Sequence, residues 1–153
     1  MNKDHLRELI ARVLEELNLY SRDAVELLML TAAAESNLGE YLKQIGRGPA
    51  LGIFQMEPST EKDIWYNYLR HRPALLLSVE LLVGNSNVIN LHLFGNLLYQ
   101  IALARIHYLR VPAPLPSRLD AEAMAAYWKD YFNSRLGKGT VAKAVESYRR
   151  LCL

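Results

Sequence analysis

Cysteine is almost missing from this chain: its 153 residues hold one, Cys152, next to last, so no disulfide can form within it and no thiolate cluster can bind a metal. Long apolar runs are missing as well. Stretches such as Leu27 to Ala34 and Ala74 to Leu77 fall far short of the roughly 20 residues that a spanning helix needs, so no membrane insertion is expected. An excess of one charge is missing too: 18 basic and 16 acidic residues leave +2, which gives no general electrostatic footprint for nucleic acid or an acidic membrane. Met1-Asn2-Lys3-Asp4-His5 leads into charges alternating with leucines, the reverse of a signal peptide's apolar region, so synthesis in a cytoplasm without an export signal is expected. There is no internal repeat and no low-complexity tract.

What is present is a chain 51% hydrophobic and 22% charged, the composition of a single domain that buries roughly 70% of its unfolded surface. The periodicity is helical. Leu6, Leu9, Ile10, Val13, Leu14 and Leu17 share one face of a first helix. Ser21 caps a second, with Asp23 in its first turn, and this helix is apolar nearly all round through Ala34, which places it in the core. Gly39 marks its exit. Gly46 to Gly52 holds too much glycine and proline for a regular element and reads as a structured loop or short hairpin, within a non-helical stretch around 40–57.

Pro58-Ser59-Thr60 opens a third helix, Pro73 ends it or starts a fourth reaching Val83, and Gly84-Asn85-Ser86-Asn87 is a turn. One long helix with Gly95 inside it is expected from Val88 to about Leu109. Val111 to Pro116 is a stiff extended connector, too short to separate domains. Asp120 starts a helix to about Asn133, Gly137-Lys138-Gly139 breaks it, and Thr140 caps the last. The sum is an all-α domain of six or seven helices.

Candidate chemistry centres on Thr31-Ala32-Ala33-Ala34-Glu35-Ser36-Asn37-Leu38-Gly39, where one acid ends an apolar helix. A glutamate in a last turn is ordinary when exposed. In apolar surroundings, desolvation and the negative end of the helix dipole both raise its pKa toward neutrality, as a general acid requires. The four histidines, His5, His71, His92 and His107, have neither helical ligand spacing nor carboxylate partners, so no metal and no cofactor are expected. Gly137-Lys138-Gly139-Thr140 lacks the upstream glycine and strand of a phosphate-binding loop, because position 132 is phenylalanine.

Glu35-Ser36 at a helix end, followed by Gly52-Ile53-Phe54-Gln55-Met56, resembles the Glu-Ser and Gly-Leu-Met-Gln motifs of the lytic transglycosylase and goose-type lysozyme superfamily, with Ile-Phe in place of Leu-Met. The resemblance is specific over roughly residues 30 to 58. It implies a lysozyme-like fold and cleavage of the bond between N-acetylmuramic acid and N-acetylglucosamine. It makes Glu35 the catalytic acid/base, gives Ser36 a supporting role toward Glu35 or the substrate, and places Gln55 and Met56 in the cleft wall. A family Ala-Tyr-Asn element is matched weakly by Tyr131-Phe132-Asn133, so either Tyr127 or Tyr131 supplies the family hydroxyl or that support is absent.

A two-carboxylate hydrolysis needs a second acid, for which Glu57 is the best of the local candidates Glu40, Glu57 and Asp63. A transglycosylase needs none, because the muramic C6 hydroxyl attacks within the same sugar. Tyr99, Gln100, Tyr108, Tyr127 and Asn133 are candidate groove residues, while Trp65 and Trp128 fit the core. The partner implied is the glycan strand of bacterial peptidoglycan, with other phage tail or virion subunits as further partners, since the pattern resembles phage muralytic domains that act at the wall. Two rivals stand beside this reading. One is an inactive lysozyme-like component of a tail or baseplate; the other is a DNA-binding protein, suggested only by the basic second half, including Arg105, Arg110, Arg118, Lys129, Lys138, Lys143, Arg149 and Arg150.

Overall fold

The structure, a computed structural model, describes residues 1–84, 89–133 and 137–153, and among these it is all-helical. Helix α1 spans Lys3–Glu16 and α2 Arg22–Ser36; after a long loop come α3, Pro58–Asn67, and α4, Pro73–Val83. Then follow α5, Ile89–Gly95, α6, Leu97–Leu109, α7, Ala121–Trp128, and α8, Val141–Cys152. A 3₁₀ turn, Leu69–His71, joins α3 to α4, and one π-helical turn, Lys129–Asn133, extends α7.

Helix α2 is the axis of the molecule. Its residues from Ala24 to Ala33 are almost all buried, as expected for a helix apolar on every side, and α1, α6, α7 and α8 pack around it. Helix α6 is a second spine, on which α3, α4 and α5 lean. The capping residues act as their types dictate: Ser21 Oγ accepts the Ala24 N–H, Asp120 that of Ala123 and Thr140 that of Lys143.

The single helix expected over 88–109 is two. Val88 and residues 85–87 of the expected turn lie outside the described residues. Asn96 sits in extended conformation between α5 and α6, and its side chain accepts the Tyr99 N–H, so it caps α6 instead of continuing α5. An asparagine that can satisfy an orphan amide competes with the helix for its own backbone. That break, behind an interior glycine, accounts for the eighth helix.

The loop from Gly39 to Glu57 carries two isolated antiparallel bridges, Lys43 with Leu51 and Leu51 with Met56, so it is a short hairpin without named strands. Gly52 to Gln55 form its tip, where Ile53 and Phe54 turn into the core.

Replacing Asn96 by Ala is expected to lower stability by about 1 kcal/mol through the lost cap. Urea unfolding with an unchanged slope checks this. A gain in stability would mean that the backbone there favours one continuous helix, since alanine is the better helix former.

Candidate active site

Glu35 occupies the last turn of α2, where the chain must leave a helix buried on all sides. It does so through three successive left-handed residues, Asn37, Leu38 and Gly39, and the Leu38 N–H donates back to the Ala32 carbonyl. The turn therefore extends two residues before the expected Gly39, with buried Leu38 anchoring it. Ser36 directs the next step: its Oγ donates to the Ile53 carbonyl at 2.6 Å and accepts the Gly39 N–H at 2.8 Å. Ser36 is fully buried, so its support goes to the loop rather than to a substrate.

The hairpin tip is fastened from the other side by Gln100, whose Oε1 accepts the Ile53 N–H at 2.7 Å. Gly52 is required here. It has φ +77°, and a Cβ on it would come within 2.4 Å of the Leu93 carbonyl and 2.5 Å of Gln100 Oε1. Gln55, at φ +46°, is held left-handed by its own amide, which donates to the Gly52 carbonyl. Gln55, Met56 and Glu57 follow in the wall of a cleft of about 790 Å³, opposite Phe132, Asn133 and Gly137 to Gly139, with Glu35, Tyr41, His107 and Trp128 also lining it.

Glu35 is partly buried at the floor of that cleft. Trp128 Nε1 donates to its Oε1 at 2.9 Å, and Asn133 Nδ2 makes a longer contact to the same oxygen at 3.5 Å. The π turn makes this pairing possible. On an α-helix, residues five apart would point about 140° away from each other. The wider π turn brings the donors of residues 128 and 133 to one carboxyl oxygen. No buried side-chain oxygen lacks a partner among the described residues, so Oε2, which has none, is open to the cleft.

Burial pushes the Glu35 carboxyl up to about 7, and the hydrogen bonds from Trp128 and Asn133 and the charge of Lys129 hold it from rising further. Tyr41 is raised in turn by burial and by Glu35 and Glu40. His107, on the cleft wall, is pushed down to about 4 by burial and by Arg110, and is therefore neutral at physiological pH.

The glycines after the π turn are seated on the two donors. A Cβ at Gly137 would lie 2.3 Å from Asn133 Oδ1, and one at Gly139 would lie 2.4 Å from the Trp128 ring. Gly137-Lys138-Gly139 is thus a close-packed brace over the acid's partners.

Several expected groove residues are elsewhere. Tyr99 is buried and donates to Glu61, a buried acid outside the cleft, while Trp65 Nε1 donates to the Tyr99 hydroxyl. Tyr108 is fully enclosed; since Thr31 spends its hydroxyl proton on the Leu27 carbonyl, Tyr108 donates to Thr31 Oγ1. Tyr127 donates to the Ala113 carbonyl and so pins the proline connector. Gln100 serves the hairpin tip. These four corrections share one cause: a polar group on a buried helix goes to buried partners before it reaches a groove.

Neither Tyr127 nor half-exposed Tyr131 reaches Glu35, and Phe132 packs on His107 and Tyr108. The donor in that place is Trp128, which is buried in the core as expected and reaches Glu35 from there through Nε1. Its signal was weak: a tryptophan five residues before an asparagine, with glycines after it. Four of the eight basic residues named from the second half are engaged within the protein. Arg105 is buried, Arg110 pairs with Asp63, Arg149 with Glu122, and Lys129 is bound inward. Among the described residues no group of acids, histidines and cysteine is placed to hold a metal, and no helix is long and apolar enough to cross a membrane.

Two outcomes are expected. Between about pH 4.5 and 7 the folded chain keeps a proton on Glu35 that the unfolded chain has released, so this group makes stability fall as pH rises through that window. Glu35→Gln should therefore gain stability over wild type across the window, by a few kcal/mol at its upper end. Unfolding of both proteins at about pH 4 and about pH 8 checks it, and a constant gap would place the carboxyl in water. Gly139→Ala should push the indole off Glu35, shifting tryptophan fluorescence and costing about 1–3 kcal/mol.

No family model, curated protein or solved structure matches this chain, so its site is read from its own geometry.

Proposed function

We propose that this chain is a lysozyme-like, peptidoglycan-cleaving enzyme acting on the bond between N-acetylmuramic acid and N-acetylglucosamine, with Glu35 as its acid and base. The observation that carries this reading is a partly buried carboxyl held on Oε1 by Trp128 and Asn133, whose other oxygen opens onto a cleft of about 790 Å³ and whose pKa burial pushes up to about 7. With its pKa raised toward neutrality the group can hold a proton near neutral pH, and that proton sits on Oε2 because both protein donors occupy Oε1. Oε2 passes it to the departing glycosidic oxygen. The carboxylate left behind is stabilised by the Trp128 and Asn133 N–H groups and by the charge of Lys129. It then removes a proton from the attacking hydroxyl.

The acids lining the cleft are Glu35 and Glu57. Glu57 is exposed at the start of α3, where it accepts from Ser59. A lone buried acid favours the non-hydrolytic route, in which the muramic C6 hydroxyl closes a 1,6-anhydro ring, or substrate-assisted hydrolysis. Glu57 is the base to test if water is the nucleophile. Delivery in a phage tail or ejection apparatus, or as an endolysin, fits a compact wall-cleaving domain. The second reading, an inactive tail or baseplate component, drew on Phe132 standing in place of a tyrosine. The Trp128 donor supplies the hydrogen bond that Phe132 cannot, which favours the enzyme.

Purified peptidoglycan treated with wild-type protein should release muropeptides ending in 1,6-anhydro-N-acetylmuramic acid, identified by mass spectrometry, and Glu35→Gln should lower the yield by at least about 100-fold. Reducing ends that vanish in Glu57→Gln would establish hydrolysis. Folded protein that releases nothing from walls of several chemotypes would support the structural reading.

A further inference from the structure

Beside the two donors to Glu35 lies a cation whose hydrogen bonds go to the groups around the acid and not to the acid itself. Lys129 Nζ donates to Asn133 Oδ1 at 2.9 Å and to the Gly137 carbonyl at 2.7 Å, and it belongs to the π turn that carries Asn133. An ammonium has three donors and no acceptor, so the amide facing it must present oxygen. The other end of the same amide is then NH₂, and that end faces Glu35. Among the described residues, Lys129 is the side-chain donor that holds the Asn133 oxygen on that side, away from the carboxylate. A Cβ on Gly137 would collide with Asn133, so the second Lys129 bond, to the Gly137 carbonyl, also holds this close-packed brace on the asparagine.

We propose that Lys129 is a positioning residue of the Glu35 site: by holding Asn133 Oδ1 and the Gly137 carbonyl, it turns the Asn133 amide so that both protein donors fall on Oε1 and the acid proton is confined to Oε2. This rests on the reading of Glu35 as the reacting acid. Lys129 reaches the reaction only through Asn133 and through its charge. Among the described residues, the titratable groups around Glu35 are Tyr41 from the loop after α2, His107 and Tyr108 from α6, Glu57 and Lys138 on the cleft rim, and Lys129.

A double-mutant cycle on the full chain tests this, with the Glu35 side-chain carboxyl followed by carbon NMR against pH and assigned by its absence in Glu35→Gln. Lys129→Met should raise the Glu35 midpoint by roughly half a unit to one unit, and Lys129→Arg, which can make the same two bonds, should restore most of it. In an Asn133→Ala background the Lys129→Met shift should shrink to less than about half its size, because the amide it positions is gone. Full additivity of the two changes, or an Arg variant no better than Met, would overturn the proposal. Lys129→Gln, which still donates to the Gly137 carbonyl, serves for the same comparison if Lys129→Met does not fold. The titration needs no turnover. A protein that cleaves no peptidoglycan yet shows the coupled shift would refute the enzymatic reading and leave the positioning role standing; an active protein without the coupling would do the opposite.

Discussion

A carboxyl group at the end of a helix that is buried on every side must be given hydrogen-bond donors or be kept protonated, and much of this fold follows from doing both at Glu35. Helix α2 is enclosed by four other helices, so its last turn cannot unwind gradually into solvent. The chain leaves through three left-handed residues and returns as a hairpin whose tip is tied to Ser36. On the opposite side, α7 is extended by a π turn that places one indole and one amide over the same oxygen. Lys129 and two glycines then close behind those donors.

The identity of the donors matters for chemistry. A tyrosine hydroxyl can donate or accept, so it leaves open which carboxyl oxygen carries the proton. An indole can only donate, and an amide held by an ammonium on its oxygen side is left with the same restriction. The two oxygens of Glu35 thereby become inequivalent: one accepts, the other is free to protonate and faces the cleft. Desolvation raises the pKa while the donors and Lys129 oppose it, and the balance lies near neutrality, where one group can give a proton and then take one.

The buried polar residues elsewhere obey the same accounting. Gln100 looks like a groove residue until the Ile53 amide, turned into the core at a glycine with positive φ, is seen to need an acceptor. Tyr99 and Tyr108 likewise direct their hydroxyls to Glu61 and Thr31 inside the protein. The cleft is left to be built by loops and by helix ends: Tyr41, Gln55 to Glu57, Phe132, Asn133 and the glycine brace.

What the sequence by itself determined is what depends on local periodicity and on short-range chemistry. The apolar stripes, the caps at Ser21, Asp120 and Thr140, the central position of α2 and the isolated acid at its end are legible because each involves residues within a turn or two of one another. Tertiary structure alone decided the break at Asn96, where a cap outcompetes helix continuation. It also decided the roles of Gln100, Tyr99 and Tyr108, whose partners lie 38 to 77 residues away. The partner of Glu35 was hidden for a further reason. A 3.6-residue period puts Trp128 and Asn133 on different faces, and only the π turn, packed against α6 and braced by glycines distant from Glu35 in the chain, rotates both toward one oxygen.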